Sequence, residues 1–191
     1  MNAALADASW LTGLERNADI VIMSCYAPLF VNVNPNGMQW PTDLIGYNTL
    51  SSFGSPSYYV QKMFIENRGD RVLPLQLTPL AAAAPTTAPT TAPVGSGLFA
   101  SASGMDGGGQ VILKFVNTHA DPQQVQITLN GIKDVEKQAT VDFLSGEPND
   151  VNTIAQPQKI VPQQTTITDA APSFVHEFPA HSVSVIRFQT R

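Results

Sequence analysis

Apolar positions recur in two different rhythms along this chain, and the rhythm changes near residue 78. In the opening stretch Ala3-Ala4-Leu5-Ala6-Asp7-Ala8-Ser9-Trp10-Leu11-Thr12-Gly13-Leu14, Leu5, Ala8, Leu11 and Leu14 return every three residues, or Ala4, Ala8 and Leu11 at four and three. That is helical spacing on an alanine-rich background. The helix should stop near Arg16-Asn17, where a basic residue and Asn favour a C-terminus. Ile20-Val21-Ile22-Met23-Ser24-Cys25-Tyr26 is instead a nearly continuous apolar run with β-branched residues. Strands buried on both faces, in parallel sheets covered by helices, read this way. A polar, Asn- and Pro-rich loop follows from about 32 to 55. Ser55-Pro56 then opens a second helix, with Ser as N-cap and Pro at the first helical position. Tyr59, Val60, Met63 and Phe64 form its apolar stripe, and Gly69 is a plausible stop. Helix, buried strand, long loop, helix is the grammar of one α/β-barrel repeat, with the long loop at the end where barrels place their active sites.

One repeat is not a barrel. Leaving even ~400 Å² of such a strand's apolar surface in water costs on the order of 10 kcal/mol, about the whole stability of a domain. Its unpaired edges also invite pairing with another chain. The sequence therefore predicts a first half shaped for a larger body, and a homo-oligomer whose contact lies in residues 1–70.

Beyond Leu77 the grammar changes. Residues 81–97, AAAAPTTAPTTAPVGSG, lack hydrophobic periodicity and read as a semi-extended linker or surface loop. Short β-rich runs follow at Leu98–Ser103, Val111–Asn117, Val125–Leu129, Ala139–Leu144, Ile160–Ile167, Phe174–Phe178 and Ser182–Phe188. Val111, Leu113, Phe115 and Val183, Val185, Phe188 alternate roughly with period two, and Gly107-Gly108-Gly109 and Asn130-Gly131 supply turns. With no helix between them, these runs predict an antiparallel β-sandwich. The expected fold is thus mainly β: an antiparallel β-sandwich (98–191) preceded by a terminal αβα fragment of a (β/α)8 barrel (1–77), with a linker over 78–97.

Composition narrows the function. Of 191 residues 43% are hydrophobic, enough for a core, and the net charge of −5 comes with scattered Lys and Arg. That argues against a phosphate-binding surface and so against nucleic acid. No apolar run is long enough to span a membrane, and Met1 to Ala8 lack the basic-then-apolar pattern of a signal peptide. The single Cys25 cannot form an internal disulfide and reads as a core thiol. His119, His176 and His181 show no zinc-ligand spacing, so neither a metal nor a cofactor is expected.

Leu11-Thr12-Gly13-Leu14-Glu15-Arg16-Asn17-Ala18-Asp19-Ile20-Val21, followed by Met23-Ser24-Cys25-Tyr26-Ala27-Pro28-Leu29-Phe30-Val31-Asn32, resembles the seventh helix and eighth strand of family 51 α-L-arabinofuranosidases. Trp40-Pro41-Thr42-Asp43-Leu44-Ile45 and Pro56-Ser57-Tyr58-Tyr59-Val60-Gln61 extend the resemblance through the eighth helix. Ile112-Leu113-Lys114-Phe115-Val116-Asn117-Thr118 and Pro179-Ala180-His181-Ser182-Val183-Ser184-Val185 carry it into the sandwich. The Ala/Pro/Thr stretch departs from the family pattern.

The resemblance implies retaining hydrolysis of terminal α-L-arabinofuranosyl groups in arabinan and arabinoxylan by a secreted or periplasmic parent enzyme. Such chemistry uses two carboxyl groups ~5 Å apart. In the family these are glutamates on barrel strands four and seven, which the resemblance places upstream of Met1, so the chain by itself is expected to be inactive. Its acidic residues read as solvated or capping groups: Glu15 and Asp19 at a helix end, Asp43 and Asp70 in loops, the rest in sandwich strands or turns. Tyr26, Pro28, Asn32 and Trp40, on or just past the strand's C-terminal end, are the candidate substrate-binding residues. An aromatic face for a sugar ring and an amide for its hydroxyls suit that role, and a packed Tyr, a turn Asn and a loop Trp are the plainer alternative. His181 reads as a strand-end packing residue. Two other classes stay open for the sandwich: a carbohydrate-binding module, which would need a solvent-facing row of aromatics, or a structural accessory to the barrel.

Overall fold

The computed structural model describes residues 1–38, 40, 44–77 and 97–191. The linker expected over 78–97 lies outside these residues apart from Gly97, as does Asp43. Helix α1 spans Asn2–Arg16 and α2 spans Pro56–Glu66, both where the periodicity predicts. Between them run three short strands, β1 (Phe30–Asn32), β2 (Ile45–Tyr47) and β3 (Ser52–Gly54). The second half holds β4 (Arg71–Val72), β5 (Leu98–Gly104), β6 (Gln110–Asn117), β7 (Gln123–Thr128), β8 (Ala139–Ser145), β9 (Gln163–Ile167), β10 (Ser173–Phe178) and β11 (Ser182–Gln189). All seven β-rich runs read from the sequence overlap one of these strands.

The sandwich is a six-stranded antiparallel sheet, ordered β4-β5-β6-β11-β8-β9, faced by the antiparallel ribbon β10-β7. Register explains which side chain faces which layer. Val111, Leu113 and Phe115 of β6 lie on one face with Ile186 and Phe188 of β11 and Val141 of β8. That face packs on Ile127 and Phe178 of the ribbon. The rings of Phe115 and Phe178 stack at 3.9 Å, and Phe174 meets Phe188 edge-on. The alternate residues Ile112, Val116, Val183, Val185 and Leu144 point the other way and pack against Leu5, Ala8, Val60, Met63 and Phe64 of the two helices. Strands β6 and β11 are therefore buried on both faces, which is why apolar residues stand at adjacent positions in each, as in Val111-Ile112-Leu113 and Val185-Ile186.

Three expectations are corrected. Ile20–Tyr26 is not a strand: after α1 the chain turns, with the Ile20 and Val21 N–H groups donating to the Asn17 carbonyl, and then runs without regular structure to Leu29. Ile20 is 74% exposed, Ile22 95% and Met23 87%. A strand apolar on both faces needs neighbours on both edges, and no strand of the described chain pairs with this run. Cys25, expected in a core, is exposed for the same reason. Finally, α2 stops at Asn67 rather than Gly69. A Cβ on Gly69 would come within 2.7 Å of the Ser103 side chain, so this glycine allows close approach to β5.

Candidate functional site

The loop expected between 32 and 55 is a built structure. In the small sheet β1 pairs parallel with β2, and β2 antiparallel with β3. Its inner face holds Val31, Gly46 and Phe53. Gly46 is bare because the Phe53 ring covers it, and a Cβ there would meet that ring at 2.4 Å. The turns around it are closed by asparagines. Asn32 Oδ1 accepts from the Asn34 N–H at 3.0 Å, and Asn48 Oδ1 accepts from the N–H groups of Leu50 and Ser51. Such side-chain caps replace ladder bonds in tight loops. Ser55 caps α2 by accepting from the Tyr58 N–H at 3.2 Å. The Asn152 amide, buried in the sandwich, donates to the Gly54 and Ile160 carbonyls, 2.8 Å each. The small sheet is thereby tied to the 146–162 loop.

The four candidate substrate residues fall in two places. Tyr26 is half-buried at the seam of the helices, where its hydroxyl and that of Ser57 lie beside the Asp7 carboxyl. Half-buried Pro28 follows through a cis Ala27–Pro28 bond. Asn32 closes β1, and Trp40 is largely exposed in the β1–β2 connection. Two clefts among the described residues, of about 450 and 490 Å³, are lined by none of the four.

Two side chains behave differently from the sequence reading. Asp7 stands in the middle of α1, not in a sandwich strand or turn, and its Oδ2 is buried without a full hydrogen bond. Burial pushes its carboxyl above the usual range, and the Ser57 and Tyr26 hydroxyls only partly counter this. Glu15, expected to be a solvated helix-end group, forms an ion pair with Lys114, which is almost fully buried on β6. Ser101 donates to the same carboxylate at 2.6 Å. Lys114 also donates to the Phe64 carbonyl at 3.0 Å and sits over the Phe64 ring. Burial lowers the Lys114 ammonium below the usual lysine range, and Glu15 opposes that shift. A second cation on the same face, Arg187 of β11, pairs with Asp142 at 2.6 Å and donates to Asn67 at the end of α2. The last turns of both helices thus end on cations of the sandwich, Lys114 buried and Arg187 partly so, where helix dipoles favour positive charge. Period two puts Lys114 on the face opposite Val111, Leu113 and Phe115, and only the packing of the helices buries it; its partner, 99 residues away in sequence, has no local signal.

A sequence model of the α-L-arabinofuranosidase C-terminal domain matches residues 1–182. The chain belongs to this family. Its relatives include α-L-arabinofuranosidase 1 of Arabidopsis thaliana, 33% identical over 95% of this chain and 25% of that protein. The extracellular exo-α-L-arabinofuranosidase of Streptomyces chartreusis is 47% identical over 39% of the chain and 9% of its own length. Among solved structures, the arabinose-bound MgGH51 α-L-arabinofuranosidase superposes with a TM-score of 0.84 at 34% identity, covering 98% of this chain and 27% of that one. The chain spans about a quarter of the length of the curated relatives that it matches along most of its own length.

Proposed function

We propose that this chain is the C-terminal region of an α-L-arabinofuranosidase that releases terminal α-L-arabinofuranosyl groups from arabinan or arabinoxylan. In this reading residues 1–77 close a catalytic barrel, 78–97 link, and 98–191 form the accessory sandwich. The superposition of nearly the whole chain on about a quarter of an arabinose-bound enzyme carries it. The exposed run Ile20–Met23, with Trp10 and Ile65 also exposed on the helices, supports it, since a barrel strand deprived of its neighbours would look like this. Tyr26, Pro28, Asn32 and Trp40 serve as one wall of the sugar pocket, and the carboxyl pair comes from the rest of the enzyme. For the sandwich, a structural role is favoured over a binding module. Phe115, Phe178 and Phe188 are buried, and the large exposed hydrophobic side chains described after residue 97 are Val151 and Val175 rather than a row of rings.

The test is a chimera. Replacing the matching quarter of the Arabidopsis relative with this chain should give a soluble enzyme that hydrolyses an aryl α-L-arabinofuranoside, while the isolated chain does not. A folded but inactive chimera, or turnover by the isolated chain, would overturn the reading.

A further inference from the structure

We propose that the outward face of the small sheet β1–β2–β3 is a platform for a neutral glycan chain, an extension of the substrate wall that rests on the arabinofuranosidase reading. Register puts Phe30 opposite Ile45 and Asn32 opposite Tyr47, and Ile45 and Tyr47 opposite Gly54 and Ser52. Paired residues project to the same side, and alternate residues share a face. Phe30, Asn32, Ile45, Tyr47 and Ser52 therefore line one surface, while Val31 and Phe53 line the packed one. On the outer surface Phe30 is 57% and Tyr47 40% exposed. Their rings meet edge to face, 6.3 Å between centroids. The Tyr58 ring bounds the surface at its far edge: it covers Gly54 so closely that a Cβ there would come within 2.4 Å.

The chemistry of this surface selects its occupant. Two rings offer apolar faces and edges to the C–H side of a sugar. An amide, a phenol and a serine hydroxyl offer donors and acceptors to sugar hydroxyls. The five residues carry no carboxylate or ammonium, so among the described residues of this face none complements a charged ligand. The surface is continuous with the proposed substrate wall, because Asn32 belongs to both. In a core-packing role the rings would be covered; here the inner residues Val31 and Gly46 do the packing.

The experiment uses this 191-residue chain without further domains. Affinity electrophoresis through gels containing debranched arabinan should retard it, and the Phe30→Ala/Tyr47→Ala variant should bind at least about tenfold more weakly. Trp10→Ala, which removes an exposed ring elsewhere, should behave as the parent chain. Should the double variant misfold, amide chemical-shift changes in the unmodified chain on adding millimolar arabinotriose should fall on residues 30–32, 45–47 and 52–58. No response to arabinan or any other neutral polysaccharide, retardation unchanged in the double variant, or shifts elsewhere would overturn the platform. Retardation by galactan or xylan alone, lost in the double variant, would uphold the platform and count against arabinan as the substrate.

Discussion

Residues 1–77 and 98–191 obey the same physical chemistry and end with different surfaces. Of the fourteen large exposed hydrophobic side chains among the described residues, twelve lie in the first region and two, Val151 and Val175, in the second. In the sandwich every apolar strand face has a layer against it: the ribbon on one side, the helices on the other. In the first region only the inward stripes of α1 and α2 and the inner face of the small sheet are covered. The sequence of Ile20–Met23 is as strand-like as that of β11, so propensity does not separate them. Available partners do. A buried strand is a property of a sheet, and the described residues hold the sheet for β11 but not for Ile20–Met23.

The largest expected effect tests whether the first region is docked firmly despite its exposed surface. Glu15→Leu leaves the Lys114 ammonium buried with only the Phe64 carbonyl and ring, and should cost about 3 kcal/mol, because breaking one side of a buried pair strands a charge. Adding Lys114→Met should recover most of that loss, since replacing both partners by apolar groups is often neutral. Urea unfolding of the two singles and the double closes the cycle. A single variant as stable as the parent chain would mean that residues 1–77 dock loosely, and the comparison would become one between a folded and an appended region.

How much of this was legible in the sequence follows the same division. Ser55-Pro56 opened α2 because capping is local chemistry. The seven β-rich runs were found because period two and turn residues are local as well. The strand at 20–26 was misplaced because an apolar, β-branched run reports propensity alone, and no described strand pairs with it. The small sheet was hidden in an Asn-rich loop because three-residue strands are too short to show a period. For the site, Asn32 could be singled out by its place after an apolar run. Phe30 and Tyr47 share a face only through pairing 15 residues apart, and Glu15 meets Lys114 only through the docking of α1.

A smaller effect probes the seam by pH. Asp7 has its folded-state pKa raised, mainly by burial. In the window between the unfolded value near 3.8 and the raised folded value, the native state holds more protons than the unfolded one. Stability contributed by this group is therefore present below that window and is lost as pH rises through the folded pKa. Asp7→Asn should stabilise the chain at pH 7 by roughly 1 kcal/mol, the low end for an unsatisfied buried group, and the gain should vanish below the window. Thermal melts at several pH values would show it. A variant less stable than the parent at pH 7 would mean that the Ser57 and Tyr26 hydroxyls fully support the charged carboxylate.

The smallest stability effect bears on assembly. Ile22 is 95% exposed, so Ile22→Ser should change unfolding free energy by no more than about 0.5 kcal/mol, the range of surface substitutions away from packed features. Exposed apolar side chains in such number mark association sites. We propose that two copies meet through residues 1–70, where Ile20, Ile22, Met23, Trp10 and Ile65 are exposed. The sandwich has far less apolar surface to offer. Sedimentation at micromolar concentration should then show a dimer for the parent chain and a monomer for an Ile20→Ser/Ile22→Ser/Met23→Ser variant of unchanged melting temperature. If the parent chain sediments as a compact monomer, and amide exchange at residues 20–26 is slow, the run has found cover within its own chain. The contrast between the two regions would then be one of degree. Fast exchange in a monomer would instead leave the run exposed as it stands and remove self-association alone.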